Sequence, residues 1–248
     1  MSELTPSDVT LEGGHTRASF LRKAGLGGAA LVGGGALLGG PGTAFAGHSD
    51  PIPDVDILNY ALTLEYLEAT FYTRALGGKG TTGVPKSSAR FNRGRITGSK
   101  QLAGFGGRIR RSAYGYLTDI RDHEITHVEF LRGQIGAAAA VGPCTFDFSS
   151  ALRNVGRFLS TAQLLENTGV MAYDGAIRYV DAGNVLQAGA QIATVEARHA
   201  AYLNLINRDS PFPSAFDTGK KPSEIFAAAK PFIVDCPANV KALFARLP

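Results

Sequence analysis

Four stretches of this chain place a carboxylate on an apolar helical seam, and two of the four add a histidine three residues later. The first seam runs Leu58, Leu62, Glu65, Ala69, Tyr72, Leu76, and the second Leu117, Ile120, Glu124, His127, Leu131, Ile135. The third runs Leu159, Ala162, Glu166, Gly169, Tyr173, Ile177, and the fourth Ile192, Glu196, His199, Leu203, Ile206. Steps of three and four residues put each set on one helix face. A solvent-facing Glu would fall out of phase with the leucines, so each of these carboxylates takes the place of a core residue. Burying four of them costs several kcal/mol per ion unless something cationic lies between. A pair of metal ions would meet that demand.

Helical periodicity dominates the chain, and no alternating run argues for a sheet. Long helices are expected over 54–76, 112–136, 157–181 and 184–207, the first capped by Asp54 after Pro53 and stopped by Gly77-Gly78. A short helix from Ser149 is expected to precede the third. The fold class is therefore all-α, a bundle of four long helices around one core. The link at Ala182-Gly183 is so short that the third and fourth helices must be antiparallel neighbours, whereas the first link, 77–111, is long and rich in Gly and Arg. Beyond residue 207 the chain reads as a Pro-punctuated strap, with short helices near 224–229 and 239–247, laid over the bundle.

The chain also repeats itself. Glu65 is followed seven residues later by Tyr72, and Glu166 seven later by Tyr173, while Glu124 and Glu196 each open a Glu-x-x-His. A carboxylate-only helix followed by a Glu-x-x-His helix thus occurs twice, as pseudo-twofold symmetry around a dinuclear centre requires.

With these residues in view, the chain resembles the ferritin-like superfamily of di-iron or di-manganese carboxylate proteins. It is most similar to the exported ferritin-like domain proteins that include the plant desiccation-related proteins. The resemblance rests on Leu64-Glu65-Tyr66-Leu67-Glu68-Ala69-Thr70-Phe71-Tyr72, on Glu124-Ile125-Thr126-His127-Val128-Glu129-Phe130-Leu131, on Glu166 and on Glu196-Ala197-Arg198-His199, and it covers about residues 54–207. It implies a ferritin-like four-helix bundle with two iron or manganese ions as cofactors. Glu65 and Glu166 would be terminal or bridging ligands, Glu124 and Glu196 would bridge the metals, and His127 and His199 would each bind one ion. Oxygen-rich ligation with imidazole suits iron or manganese over copper. Around the ligands, Glu68 reads as a boundary carboxylate or an extra ligand, His123 as a polar flank, and Tyr72 and Tyr173 as hydrogen-bond donors to ligands or as core tyrosines. The implied activity is redox chemistry on dioxygen or peroxide, of ferroxidase or catalase type. The alternative from another class is a non-catalytic stress or envelope-associated protein that keeps the ligands without turnover. No individual catalytic residue can be named from the sequence.

A rival motif is written across the same helix: His123-Glu124-Ile125-Thr126-His127 spells H-E-x-x-H, the zinc site and general base of many metalloproteases. That reading needs a third ligand, and Phe130 and Gly133 stand where the extended motif has others. It also leaves Glu65, Glu166, Glu196 and His199 unexplained.

Residues 1–47 read as an export signal: a polar start, Arg17, Arg22 and Lys23, a Gly/Ala/Leu run over 24–40, and a small-x-small cleavage site at Ala44-Phe45-Ala46. The segment resembles a twin-arginine signal, with Ala18 where the second Arg belongs. The expected location is the periplasm, cell envelope or extracellular space, with cleavage near Ala46. Residues 48–207 would form the bundle and 208–248 the C-terminal extension. No stretch is apolar enough to span a bilayer. Cys144 and Cys236, the two cysteines, are either a disulfide clamping the tail to the body or two buried thiols.

The net charge of +4 is mild, but the first link concentrates it. Arg74, Lys79, Lys86, Arg90, Arg93, Arg95, Lys100, Arg108, Arg110 and Arg111 occur without one intervening acid. Such a patch offers a contact for an anionic cell-envelope polymer, or else is simply a solvated loop. Only Phe91 and Phe105 lie within it, too few aromatics for base stacking, which argues against a specific nucleic-acid partner. A homo-oligomer remains compatible with everything above.

Overall fold

Four long helices form where the periodicity places them, and the computed structural model describes residues 52–248. They are α1 (Asp54–Leu76), α3 (Gly107–Ile135), α4 (Val155–Ala176) and α5 (Gly183–Ile206). Short helices α2 (Arg93–Thr97), α6 (Pro222–Ala229) and α7 (Ala238–Arg246) occupy the first link and the C-terminal strap. Helix α1 packs chiefly along α3, and α4 along α5, while α1 also meets α4 across the core. The protein is all-α apart from one small antiparallel pair, β1 (Thr145–Phe146) with β2 (Ile233–Asp235). The expected export signal and its cleavage site lie outside the described residues.

Local chemistry explains where the boundaries moved. Pro53, not Asp54, is the N-cap of α1; the Asp54 carboxylate instead accepts hydrogen bonds from the backbone N–H groups of Asp181 and Ala182, both at 2.9 Å. It thereby ties the α4–α5 link to the start of α1. Helix α3 starts five residues before the expected 112, although its Arg-rich first turns oppose the helix dipole. Its start is held by the segment before it: Arg110 donates to the Thr97 carbonyl, and the Arg93 guanidinium lies 5.3 Å from the centre of the Tyr114 ring. The expected short helix at 149 is a run of turns, because Asp147 accepts from both the N–H and the hydroxyl of Ser149, at 2.8 and 3.1 Å, and so competes with helix formation. Helix α4 then opens on Asn154, whose side chain accepts from the Arg157 N–H at 2.9 Å.

The first link is structured rather than merely solvated. Besides α2 it holds a 3₁₀ turn at Lys100–Leu102 and bridges pairing Gly78 with Ser87 and Thr81 with Val84. Half of its ten cations are also used internally: Arg74, Arg90, Arg93, Arg95 and Arg110 each donate to a backbone carbonyl. Gly83 is required where the link turns back on α1. Its φ is +88°, and a Cβ there would lie 2.3 Å from the Tyr66 ring.

The expectation of one buried face on α1 is too modest. From Asp56 to Leu76 the helix is buried on all sides except at Leu58 and Arg74. Its outer side is covered by segments remote in sequence. Asn59 clamps the α3–α4 crossover by donating to the Ala139 carbonyl at 3.1 Å and accepting from the Val141 N–H at 2.8 Å. The strap covers the rest: the Phe244 ring of α7 meets Tyr60 edge-on at 5.9 Å, and Arg246 pairs with Asp56 through two hydrogen bonds of 2.6 and 2.7 Å.

Cys144 and Cys236 form a disulfide that joins the crossover to the strap just where β1 and β2 pair. With 92 residues between them, the loop-entropy model gives a stabilisation of about 4–5 kcal/mol. That resolves the open choice in favour of the bridge.

Candidate metal centre

Each long helix brings one carboxylate to the middle of the bundle, and Glu65, Glu124, Glu166 and Glu196 are all fully buried. Their neighbours along the same helices are mostly Leu, Ile, Val and Ala, which offer these carboxylates no hydrogen bonds. His127 and His199 join them, at 9% and 5% exposure. All six residues that the sequence singled out as ligands therefore converge.

They fall into two groups of possible ligand atoms, Glu65, Glu124, His127, Glu196 and Glu124, Glu166, Glu196, His199, each with its atoms within 4.8 Å of one another. Glu124 and Glu196 belong to both. His127 Nδ1 lies 3.2 Å from Glu65 Oε2, 3.3 Å from Glu124 Oε2 and 3.3 Å from Glu196 Oε1. His199 Nδ1 lies 3.0 Å from Glu124 Oε1 and 3.0 Å from Glu166 Oε2. One ring nitrogen carries at most one proton and cannot satisfy that many oxygens. Glu124 Oε1 and both oxygens of Glu196 accordingly have no hydrogen-bond partner. Buried acceptors are rarely left this way, and the orphans sit on the two carboxylates common to both groups. The donor set, oxygen-rich with one imidazole to each group, fits two hard or borderline divalent cations.

The electrostatics give the same reading. Burial alone opposes ionisation, and it lifts Glu65 to about 7, with Glu166 and Glu196 also raised. Burial acts on Glu124 too, but the close imidazoles of His127 and His199 outweigh it and hold that carboxyl below the usual range. For the histidines burial disfavours the charge, yet the surrounding carboxylates prevail: His127 is pushed far up and His199 to about 11. Without cations, the cluster is thus an assembly of charges held together by protons that metal ions would displace.

Around the six clustered residues the pseudo-twofold symmetry becomes a crossed pair of hydrogen bonds. Tyr72 of α1 donates to Glu166 Oε1 at 2.6 Å, and Tyr173 of α4 donates to Glu65 Oε1. Each tyrosine thus supports the carboxylate of the other helix, which decides between the two roles the sequence left open for them. His123 is exposed, lies outside both ligand groups, and places its Nδ1 2.9 Å from Nε2 of His199, with the two rings stacked at 5.2 Å. The two histidines of H-E-x-x-H are therefore not gathered around one ion.

Two further residues of the cluster, Glu68 and Gly169, take on more than the sequence reading gave them. Glu68 is only 4% exposed, not a boundary carboxylate, and burial together with Glu196, Glu166, Glu124 and Glu65 raises it well above the usual range. Gly169 makes room for it: a Cβ there would lie 2.7 Å from Glu196 Oε2 and 3.4 Å from Glu68 Oε1. A glycine on the ligand face of α4, three residues after Glu166, was the available signal. Large depressions elsewhere, of about 520 Å³ beside Arg198 and about 550 Å³ beside Arg74, include none of the six ligand residues.

Comparison with known proteins agrees with this architecture. Residues 53–208 match the model of the ferritin-like domain. The chain is also similar to protein rds1 of Schizosaccharomyces pombe, 29% identical over 126 residues, which is 50% of this chain and 31% of that protein. The matched part thus spans less than a third of that relative's length. Four helices, each contributing one carboxylate to a shared core, and a family match across all four lead to one conclusion: the chain belongs to the ferritin-like domain family.

Proposed function

We propose that the buried cluster holds two iron or manganese ions and that the protein carries out redox chemistry on dioxygen or peroxide. One observation carries the reading: within the six clustered residues, the oxygens without hydrogen-bond partners belong to Glu124 and Glu196, the two carboxylates common to both groups. Glu65 with His127 would complete one ion's set, and Glu166 with His199 the other's. Bound there, the ions would supply electron transfer and Lewis acidity.

The chain's own residues then have defined tasks. Tyr72 and Tyr173 orient Glu166 and Glu65 through hydrogen bonds to one oxygen each, leaving the other oxygen for a cation. His123 holds the Nε2 side of His199, so that Nδ1 faces the carboxylates. Burial of all six residues excludes bulk water and strengthens each electrostatic contact. The two broad depressions among the described residues include none of the six clustered side chains, which favours a reactant of few atoms over an organic substrate.

Export belongs to the same proposal. The Cys144–Cys236 bridge supports an oxidising compartment, where structural disulfides persist. Among the described residues no helix is long and apolar enough to cross a membrane.

The test is metal analysis of purified protein, followed by peroxide and dioxygen consumption. Two equivalents of iron or manganese per chain with turnover are expected. Tight metal without turnover would replace this reading with the non-catalytic one, and a metal-free chain that cannot be loaded would end both.

A further inference from the structure

A narrow apolar cavity of about 20 Å³ lies between α1, α4 and the C-terminal strap. Its outer rim includes Leu164, 52% exposed, and the exposed Ala228. Its walls include Leu67, Leu165 and Thr168, all buried, and it reaches Glu68 and Gly169. Glu68 is 4% exposed, and no hydrogen bond engages its carboxyl among the described residues. Beyond it, only the Gly169 backbone separates the cavity from the buried Glu196 Oε2, since a Cβ there would lie 2.7 Å from that oxygen. A surface opening, a buried throat and, behind a side-chain-free glycine, a carboxylate oxygen without a hydrogen-bond partner thus follow one another.

We propose that this cavity is the entrance by which a small uncharged oxidant, dioxygen or hydrogen peroxide, reaches the buried cluster, with the strap around Ala228 as its outer wall. The volume admits about one water-sized molecule at a time. Apolar walls offer nothing to replace the hydration shell of a cation, and the carboxylates at the floor repel anions, so the route selects neutral molecules. The assignment rests on reading the cluster as a reaction centre, and it favours oxidant chemistry over bulk iron traffic along this path. A second apolar cavity, of about 40 Å³, ends beside Tyr173 and includes Ala188; it is the competing route.

Because Cys144 and Cys236 are paired and no free cysteine occurs among the described residues, an introduced thiol can report access without any metal. The experiment uses the full chain with Thr168→Cys in the throat and, separately, Glu68→Cys at the floor, so that one misfolded variant leaves the other. In the metal-free chain hydrogen peroxide, a neutral probe little larger than water, should oxidise both thiols to sulfenic acid while itself being reduced to water. Relative to an exposed thiol, it should do so at least tenfold faster than a trimethylammonium-ethyl methanethiosulfonate cation modifies them. Adding Ala228→Phe should slow the neutral reagent at least tenfold, whereas Ala188→Phe should leave the rate unchanged. An Ala228→Phe protein that reacts as fast as its parent, or slowing by Ala188→Phe instead, would overturn the entrance. Metal analysis of the unaltered chain judges the reaction centre separately, since the thiol rates do not depend on bound ions.

Discussion

The two halves of the bundle, α1 with α3 and α4 with α5, carry matching ligands in differing surroundings. Glu65 and Glu166 correspond, as do Tyr72 and Tyr173, and Glu124-x-x-His127 corresponds to Glu196-x-x-His199. Three residues after the first Glu, however, α1 has Glu68 and α4 has Gly169; just before the second Glu, α3 has His123 and α5 has Val195. The ligands obey the symmetry because two like cations would need like cages. The departures from it show where each half meets something different. On one side the small Gly169 opposes Glu68 and opens toward the strap, while on the other His199 has a ring partner that His127 lacks.

The largest effect should come from breaking what the halves share. Glu124→Ala or Glu196→Ala removes a member of both ligand groups and should abolish binding of both ions. Glu65→Ala or Glu166→Ala touches one group and should leave close to one ion per chain. Metal content by elemental analysis reads the difference, and equal losses from all four variants would break the distinction between shared and private ligands.

Next in size is the response to pH, which tests the cage as a whole. In the metal-free protein His199 is raised from 6.5 to about 11, where burial opposes the charge and the nearby Glu124 and Glu166 carboxylates outweigh it. Its stabilising contribution is therefore complete below pH 6.5 and is lost as pH rises through about 11. Glu65, raised by burial from 4.5 to about 7, acts in the same direction at lower pH, losing its contribution between those values. The metal-free protein should lose stability from pH 6.5 upward, and the rise in Tm on adding manganese should grow over the same window as ions replace protons. Thermal melts at pH 6.5, 8 and 9.5 check both, and a metal-induced shift that shrinks with pH would contradict the exchange.

The asymmetry at His123 should be worth less. His123→Ala removes the group that orients His199, and such partners typically contribute about 10–100-fold to metal affinity. Competitive chelator titration should show one weakened ion and one unchanged. If both ions weaken equally, His123 acts on the cluster as a whole rather than on one half.

The smallest difference is expected within the tyrosine pair. Tyr72→Phe and Tyr173→Phe each remove one hydrogen bond to a buried carboxylate, worth about 1.5–3 kcal/mol. Their effects on unfolding free energy should agree within about 1 kcal/mol, and a larger gap would mean that the crossed bonds are equivalent in geometry only.

Much of the site was legible because helical phase is a local property. Whether Glu65 or Glu196 faces a core depends on residues three and four positions away, and those are adjacent in sequence. The same reasoning left Glu68 open between a boundary carboxylate and an extra ligand, and only its burial removes the boundary reading. It lies one turn from Glu65 but is covered by α4 and by strap residues some 160 positions later, and no periodicity within α1 reports that. The first link misled for a similar reason. Its arginines look like a solvated charge run until the carbonyls they reach, such as those of Phe146 and Leu152, are brought beside them.

By itself, the sequence determined the four-helix plan, the convergence of six ligand residues and their pairing into two repeats, since all three follow from the 3.6-residue period and the cost of burying charge. Only the tertiary structure decided that Cys144 meets Cys236, that the tyrosines cross between α1 and α4, and that Gly169 opens space beside Glu68. Those are distances between segments far apart in the chain. They depend on how the crossover and the strap settle against α1 and α4, which no local pattern encodes.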